Sequence, residues 1–231
     1  MSRAVLLLAV DTSGPAVTVA LADGQGVLAA AHRDDPRRHA ELLAPLIAQA
    51  LAEAGRAPRD LTDVVAGVGP GPFTGLRVGL VTARMLGAVL GLPVHGVCSL
   101  DALAAGAPAD LPAFLVATDA RRREVHWARY RRDGEGRARR EDGPHVALPA
   151  AVPTSGLPVV GRGAALYPEL LGEPVPGAPL DVDAAALALL AARALAAAPG
   201  TADAAVLLGP DPLYLRRPDA VEPGARKRVL T

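Results

Sequence analysis

The 231-residue chain is short of several things. Aromatic residues make up 3%, there is one cysteine, Cys98, and 24 Lys and Arg balance 24 Asp and Glu to a net charge of zero. A single cysteine excludes an intrachain disulfide framework and a cysteine-based zinc site, which makes a reducing cytoplasm the default compartment. Zero net charge removes any bulk electrostatic argument for nucleic acid or membranes. The five histidines include no i, i+4 pair, and there is no Cys-x-x-Cys pattern, so a metal site built from this chain alone is unsupported. There is no Gly-x-Ser-x-Gly elbow either. The opening apolar run stops at Asp11, too short for a secretion signal, and no stretch reads as long and apolar enough to span a bilayer. What is present, 51% hydrophobic and 21% charged residues, is a foldable globular composition.

The chain reads as two halves of similar order. Ala4 to Val10 is a continuous apolar run, a strand buried on both faces, ended by Asp11-Thr12-Ser13. Ala16 to Ala22 and Val27 to Ala31 follow as strands around an Asp23-Gly24 hairpin turn. A helix over His39 to Ala54 places Leu43, Leu46, Ile47, Ala50 and Leu51 on one face, widened by Leu42. Leu61 to Val68 is the next strand, Leu76 to Leu90 a second helix, Val94 to Val97 a short strand, and Leu100 to Ala105 a helix with Ser99 as its cap and Asp101 in its first turn. After Pro108 to Pro112 the opening recurs: strand Ala113 to Thr118, Asp119, strand Glu124 to Arg131, turn Asp133-Gly134. Short strands over His145 to Leu148 and Pro158 to Val160, an alanine-rich helix over Asp183 to Ala197, and the segments 206–210 and 213–216 complete the fold. The reading divides the chain into lobes 1–107 and 108–221 and a mobile tail, 222–231. The fold class is α/β, a duplicated actin-like ATPase and sugar kinase fold, each lobe a mixed sheet flanked by helices.

Two turns carry the candidate chemistry. Gly67-Val68-Gly69-Pro70-Gly71-Pro72-Phe73-Thr74-Gly75-Leu76-Arg77 is a glycine-rich strand-to-helix turn. It lacks the Lys-Ser/Thr of a P-loop and the spacing of the dinucleotide fingerprint. With Thr74 as helix cap, its free N–H groups suit an anion; the alternative is a tight turn that needs glycine for packing and binds nothing. Asp11, Thr12 and Ser13 follow a buried strand where an Asp holds a metal–phosphate group in kinases, or else caps its own turn. Gly69, Gly71, Thr74 and Gly75 complete this anion-facing set. Asp119-Ala120-Arg121-Arg122-Arg123 is the matching turn of the second half, either a phosphate or RNA clamp or a solvated hairpin. The arginines from Arg129 to Arg140 read as a solvated hairpin. The two long helices offer small residues, Gly79, Ala83 and Gly87, against which a partner helix packs closely.

Leu8 to Ser13, His39 to Ile47, the glycine segment through Gly79, Asp119-Ala120-Arg121 and Pro212 to Arg216 together resemble the TsaB (YeaZ) family, in order over nearly the whole chain. The resemblance implies a non-catalytic partner of TsaD, which makes N6-threonylcarbamoyladenosine at position 37 of tRNAs reading ANN codons. It implies pairing with TsaD through the helices bearing His39, Leu42, Leu43, Leu46, Ile47, Gly79, Ala83 and Gly87. It also implies a third partner, the ATPase TsaE, a homodimer when TsaD is absent, indirect contact with tRNA, no tightly bound cofactor, and ATP or ADP at the partner seam. Where TsaD has a His-x-x-x-His metal motif, Ser99 and Leu103 stand here, so neither catalytic residue nor metal is expected. The alternative function is a small ATP-dependent kinase or phosphotransferase using Asp11 and the glycine loop.

Overall fold

The computed structural model describes residues 5–215. Ala4, Arg216 and the expected tail over 222–231 lie outside the described residues. The first sheet contains β1 (Leu6–Asp11), β2 (Ala16–Asp23), β3 (Val27–Asp34), β4 (Asp63–Gly67) and β5 (Val94–Val97) in the order β3-β2-β1-β4-β5. β1 to β3 form an antiparallel meander, and β4 and β5 join in parallel. The parallel strands need crossovers. These are α1 (His39–Glu53), between β3 and β4, and α2 (Phe73–Leu90), between β4 and β5. After α3 (Ser99–Ala105) the second sheet repeats the plan: β6 (Ala113–Asp119), β7 (Val125–Arg132), β8 (Ala138–Ala147) and β9 (Val159–Val160), ordered β8-β7-β6-β9 with β9 parallel to β6. Short helices α4 (Arg162–Leu166) and α5 (Pro168–Leu171) lead to α6 (Ala184–Ala196).

Both hairpin aspartates act as expected. Asp23 Oδ1 accepts from the backbone N–H groups of Gln25 and Gly26, and Asp133 Oδ1 from those of Glu135 and Arg137. The side chain thus supplies the acceptor that fixes the turn. Two strands are longer than hydropathy indicates. β3 continues through Arg33 and Asp34, which pair with Val17 and Ala16. β8 extends back from the expected 145–148 to Ala138, with Arg139 and Arg140 opposite Arg131 and Tyr130. Backbone pairing is indifferent to the polar side chains at these edges, so period and composition miss them.

β1 is buried on both faces, as its continuous apolar run predicts. Leu6, Leu8 and Val10 face the core under α1 and α2, while Leu7 and Ala9 face a second core. That second core is closed by α3 and α6 and runs on to Phe114 and Tyr130 of the second sheet, whose rings stack 5.7 Å apart. α6 follows the second sheet in sequence but packs against β1 and β2 of the first. The segment beyond it also returns to the first sheet: Gly96 and Leu208 exchange two backbone hydrogen bonds, and Leu213 N–H donates to Val68 O. α2 corrects the expectation about bilayers, because by length and apolar composition alone it is able to cross one. Here Leu76, Gly79, Leu80, Ala83 and Gly87 are packed inward, and Arg77 and Arg84 project from the other side.

Candidate functional site

The Asp11-Thr12-Ser13 turn lies at the end of β1, against the glycine segment that joins β4 to α2. Asp11 is 1% exposed. Its Oδ1 accepts from Ser13 N–H (2.8 Å) and Ser13 Oγ–H (2.7 Å), and its Oδ2 from Ser99 Oγ–H (2.6 Å). Burial pushes the carboxyl up, and the bonds from Ser99 and Ser13 pull it back. Thr12 Oγ1 donates to Gly75 O (2.7 Å) and accepts from Gly79 N–H (2.9 Å). These are the two groups that an unbroken helical ladder pairs with each other. A β-carbon at Gly67 would collide with the Asp11 carboxylate and one at Gly71 with Ser13 O; at Gly75 and Gly79 it would come within 2.8 Å of Thr12 O and 2.6 Å of Thr12 Oγ1. The glycines serve close approach of the two turns.

Two expected caps are displaced. α2 starts at Phe73 with Pro72 at the cap, so Thr74 stands exposed inside the first turn and caps nothing. α3 starts at Ser99 after Cys98; the Ser99 hydroxyl instead bridges Asp11 Oδ2 and Gly69 N–H (3.1 Å). The structure therefore brings Asp11, Thr12, Ser13, Gly69, Gly71 and Gly75 together, with Ser99 and Gly79 added, as a knot of protein–protein hydrogen bonds. The adjoining cleft, lined by Gly14, Pro72, Arg121, Arg162 and Asp181 among others, encloses only ≈ 20 Å³, about the space of one water.

The candidate partner face needs redrawing. Leu43 and Leu46 are 1% and 3% exposed, and Ile47 and Ala83 are buried beside them in the core of the first lobe. Gly79 abuts Thr12 and Gly87 abuts Val94. His39 is also buried, its Nε2 3.0 Å from Gly14 O, and Leu42 is half-buried. Apart from half-buried Leu42, these residues hold the helices to the sheet and do not face outward. The outward face of α2 carries Val81, Met85 and Val89, 54%, 62% and 80% exposed, at four-residue spacing. Phe73 and Arg77 continue it: the Arg77 guanidinium lies 3.5 Å from the centre of the Phe73 ring, and Phe73 stacks on Tyr214 at 5.1 Å. Arg77 Nε–H also donates to Tyr214 Oη and Arg84 pairs with Asp211, so the returning segment runs along the helix. The four-residue spacing was visible in the sequence. What hid it was apolar residues on every side of α2, which leave the inward face undefined.

Other polar groups are structural. Burial and the nearby Asp101 push the Cys98 thiol up to about 12, where it is inert. The arginine cluster of β7 and β8 is more ordered than a solvated hairpin: Arg137 and Arg139 both pair with Asp133 and Asp203. Among the described residues no group of three or more His, Cys, Asp or Glu is placed to hold a metal ion.

A doubled meander, with its parallel additions on the β1 and β6 side and helices in between, is the architecture of the actin-like ATPase and sugar kinase class. Within that class, residues 33–163 match the family model of TsaD, tRNA N6-adenosine threonylcarbamoyltransferase. The chain belongs to the TsaB (YeaZ) family. YeaZ from Pseudomonas aeruginosa superposes with a TM-score of 0.74 at 33% identity, over 91% of this chain and all of that one. The Escherichia coli tRNA threonylcarbamoyladenosine biosynthesis protein TsaB is 36% identical over 148 residues, 63% of this chain and 64% of that protein. An uncharacterized protein of Mycobacterium tuberculosis is 44% identical over 219 residues, 93% of each chain. An uncharacterized Mycobacterium leprae relative, also 44% identical, is longer, and the match spans 56% of it.

Proposed function

We propose that this chain is a non-catalytic subunit of tRNA threonylcarbamoyladenosine synthesis, holding a TsaD-type transferase in a competent arrangement. The observation that carries the reading is the outward face of α2. Val81, Met85 and Val89 form an apolar stripe that is left exposed among the described residues, on a helix whose other side is firmly seated. Burying such a stripe against a partner helix is the ordinary use of an unpartnered apolar face. The name of the Escherichia coli relative supplies the pathway. The state of Asp11 supports a subunit without catalysis, since the carboxylate that a phosphotransferase reading needs is bound to Ser13 and Ser99. The same reading includes a TsaE-type ATPase as third partner, a homodimer through the same face in the absence of the transferase, ATP or ADP at the seam, and a cytoplasmic site of action.

The test is reconstitution of the modification from purified transferase, ATPase and carbamoyl-adenylate synthase, with and without this chain, counting modified adenosine per tRNA. Product that depends on this chain, persists with Asp11→Ala and is lost with Val81→Glu/Met85→Glu is expected. Equal product without the chain overturns the reading.

A further inference from the structure

Two arginine-rich turns, one after β3 and one after β6, are built the same way. In the first, Asp35 Oδ1 accepts from Arg37 N–H (3.0 Å) and Oδ2 from Arg38 Nε–H (2.7 Å). In the second, Asp119 Oδ1 accepts from Arg121 N–H (2.7 Å) and Oδ2 pairs with the Arg121 guanidinium (3.2 Å). An aspartate thus fixes each turn and orients its first paired guanidinium. The two turns are linked through Gly14. Arg38 leads directly into His39, whose ring meets Gly14 O, and Gly14 and Arg121 line the same cleft with Arg162. Arg37, Arg38, Arg121, Arg122 and Arg123 are all exposed.

The second turn is also strained. Arg121, Arg122 and Arg123 have φ of 59°, 54° and 60°, three successive left-handed residues with none a glycine. L residues other than glycine and asparagine rarely adopt this conformation, and either of those two would relieve it. Strain of this kind persists where the side chains are needed in place. The chain as a whole is neutral, so these exposed guanidinium groups in two turns are not a by-product of a basic protein. Of the acidic groups nearby, Asp35 and Asp119 are engaged in their own turns and Asp181 with Arg162, while Asp34 also faces Arg162 and Glu124 closes the second turn.

We propose that the two turns form a phosphate-contact rim for RNA backbone, so that this chain touches tRNA directly. The inference rests on the tRNA reading above. Arginine recognises phosphate through its planar fork of donors. The cleft behind the rim has room for about one water, so a ligand lies across the rim and does not enter it.

The test uses the assembly of this chain with its transferase partner and a tRNA transcript carrying the target adenosine. Affinity is measured across a salt series of about 50 to 200 mM, where each lost phosphate contact lowers the slope of log K against log salt by about 0.9 for duplex and about 0.7 for single-stranded RNA. Arg121→Gln/Arg122→Gln/Arg123→Gln is expected to reduce the slope by about 2 to 3 and to leave co-elution with the transferase unchanged. The corresponding triple asparagine variant suits the left-handed turn and guards against misfolding; it is expected to do the same. Arg37→Gln is expected to lower the slope by about 1. An unchanged slope in the asparagine variant overturns the proposal. So does weakened binding of free ATP with tRNA binding intact, which would assign the arginines to a nucleotide. Product formation without this chain would sink the functional reading, while the slope still decides the rim.

Discussion

At the scale of single residues, the junction between Asp11 and the glycine segment is intolerant of added atoms. Gly67→Ala places a methyl into the Asp11 carboxylate and is expected to cost roughly 1–3 kcal/mol or more. Gly24→Ala, where a β-carbon meets nothing within 4 Å, is expected to stay within about 0.5 kcal/mol. Urea unfolding of both variants checks the contrast. His126 gives a pH signature. It is buried, its Nδ1 has no partner among the described residues, and desolvation lowers its pKa from 6.5 to about 4, with Asp119 opposing. Between those values the unfolded chain binds the proton and the folded chain does not. Stability therefore falls as pH drops from 6.5 towards 4, by up to about 3 kcal/mol from this group. His126→Gln is expected to flatten the fall in urea midpoint over that range; a curve parallel to the parent would refute the assignment. The sequence showed Asp11 as special because it ends a buried apolar strand. It could not show Ser99, 88 residues away, as the group that binds it.

At the scale of elements, α2 has two faces with opposite expected responses to charge. Val81→Glu/Met85→Glu should leave the unfolding midpoint nearly unchanged, since exposed substitutions rarely exceed about 0.5 kcal/mol, while abolishing co-elution with the transferase. Leu80→Glu or Leu43→Glu should unfold the chain, because each places a charge in the core between helices and sheet. Retained partner binding by the first variant would exclude this face. The returning segment is a second element-level device. Tyr214→Ala removes the Phe73 stack and the Arg77 hydrogen bond and is expected to cost about 1–2 kcal/mol, read as a lower thermal midpoint. A strand that is one continuous apolar run, β1, and a helix with a clear period, α1, were legible in the sequence. The polar ends of β3 and β8 were not, since pairing with a neighbour made them strands.

At the scale of the molecule, the two lobes are not packed independently. α6 covers Leu7, Ala9, Ala20 and Ala22 of the first sheet, and residues 208–213 pair with Gly96 and Val68. A chain ended after Ala107 would expose that face to water, at roughly 25 cal/mol per Å² of apolar area. It is expected to bind a hydrophobic dye and to unfold without a cooperative transition. A sharp two-state transition in that fragment would show that the first lobe needs no cover from α6.

The sequence by itself determined the class of fold, the order of the main elements and the doubling of the meander, because buried runs and hairpin aspartates are local patterns set by local physics, and its segments carried the resemblance to the family. Only the tertiary structure decided which side of each helix looks outward, that Asp11 is held by Ser99, and that Tyr214 lies on Phe73. Those facts depend on which surfaces meet across long sequence separations. A helix apolar on most of its circumference carries no local record of that choice.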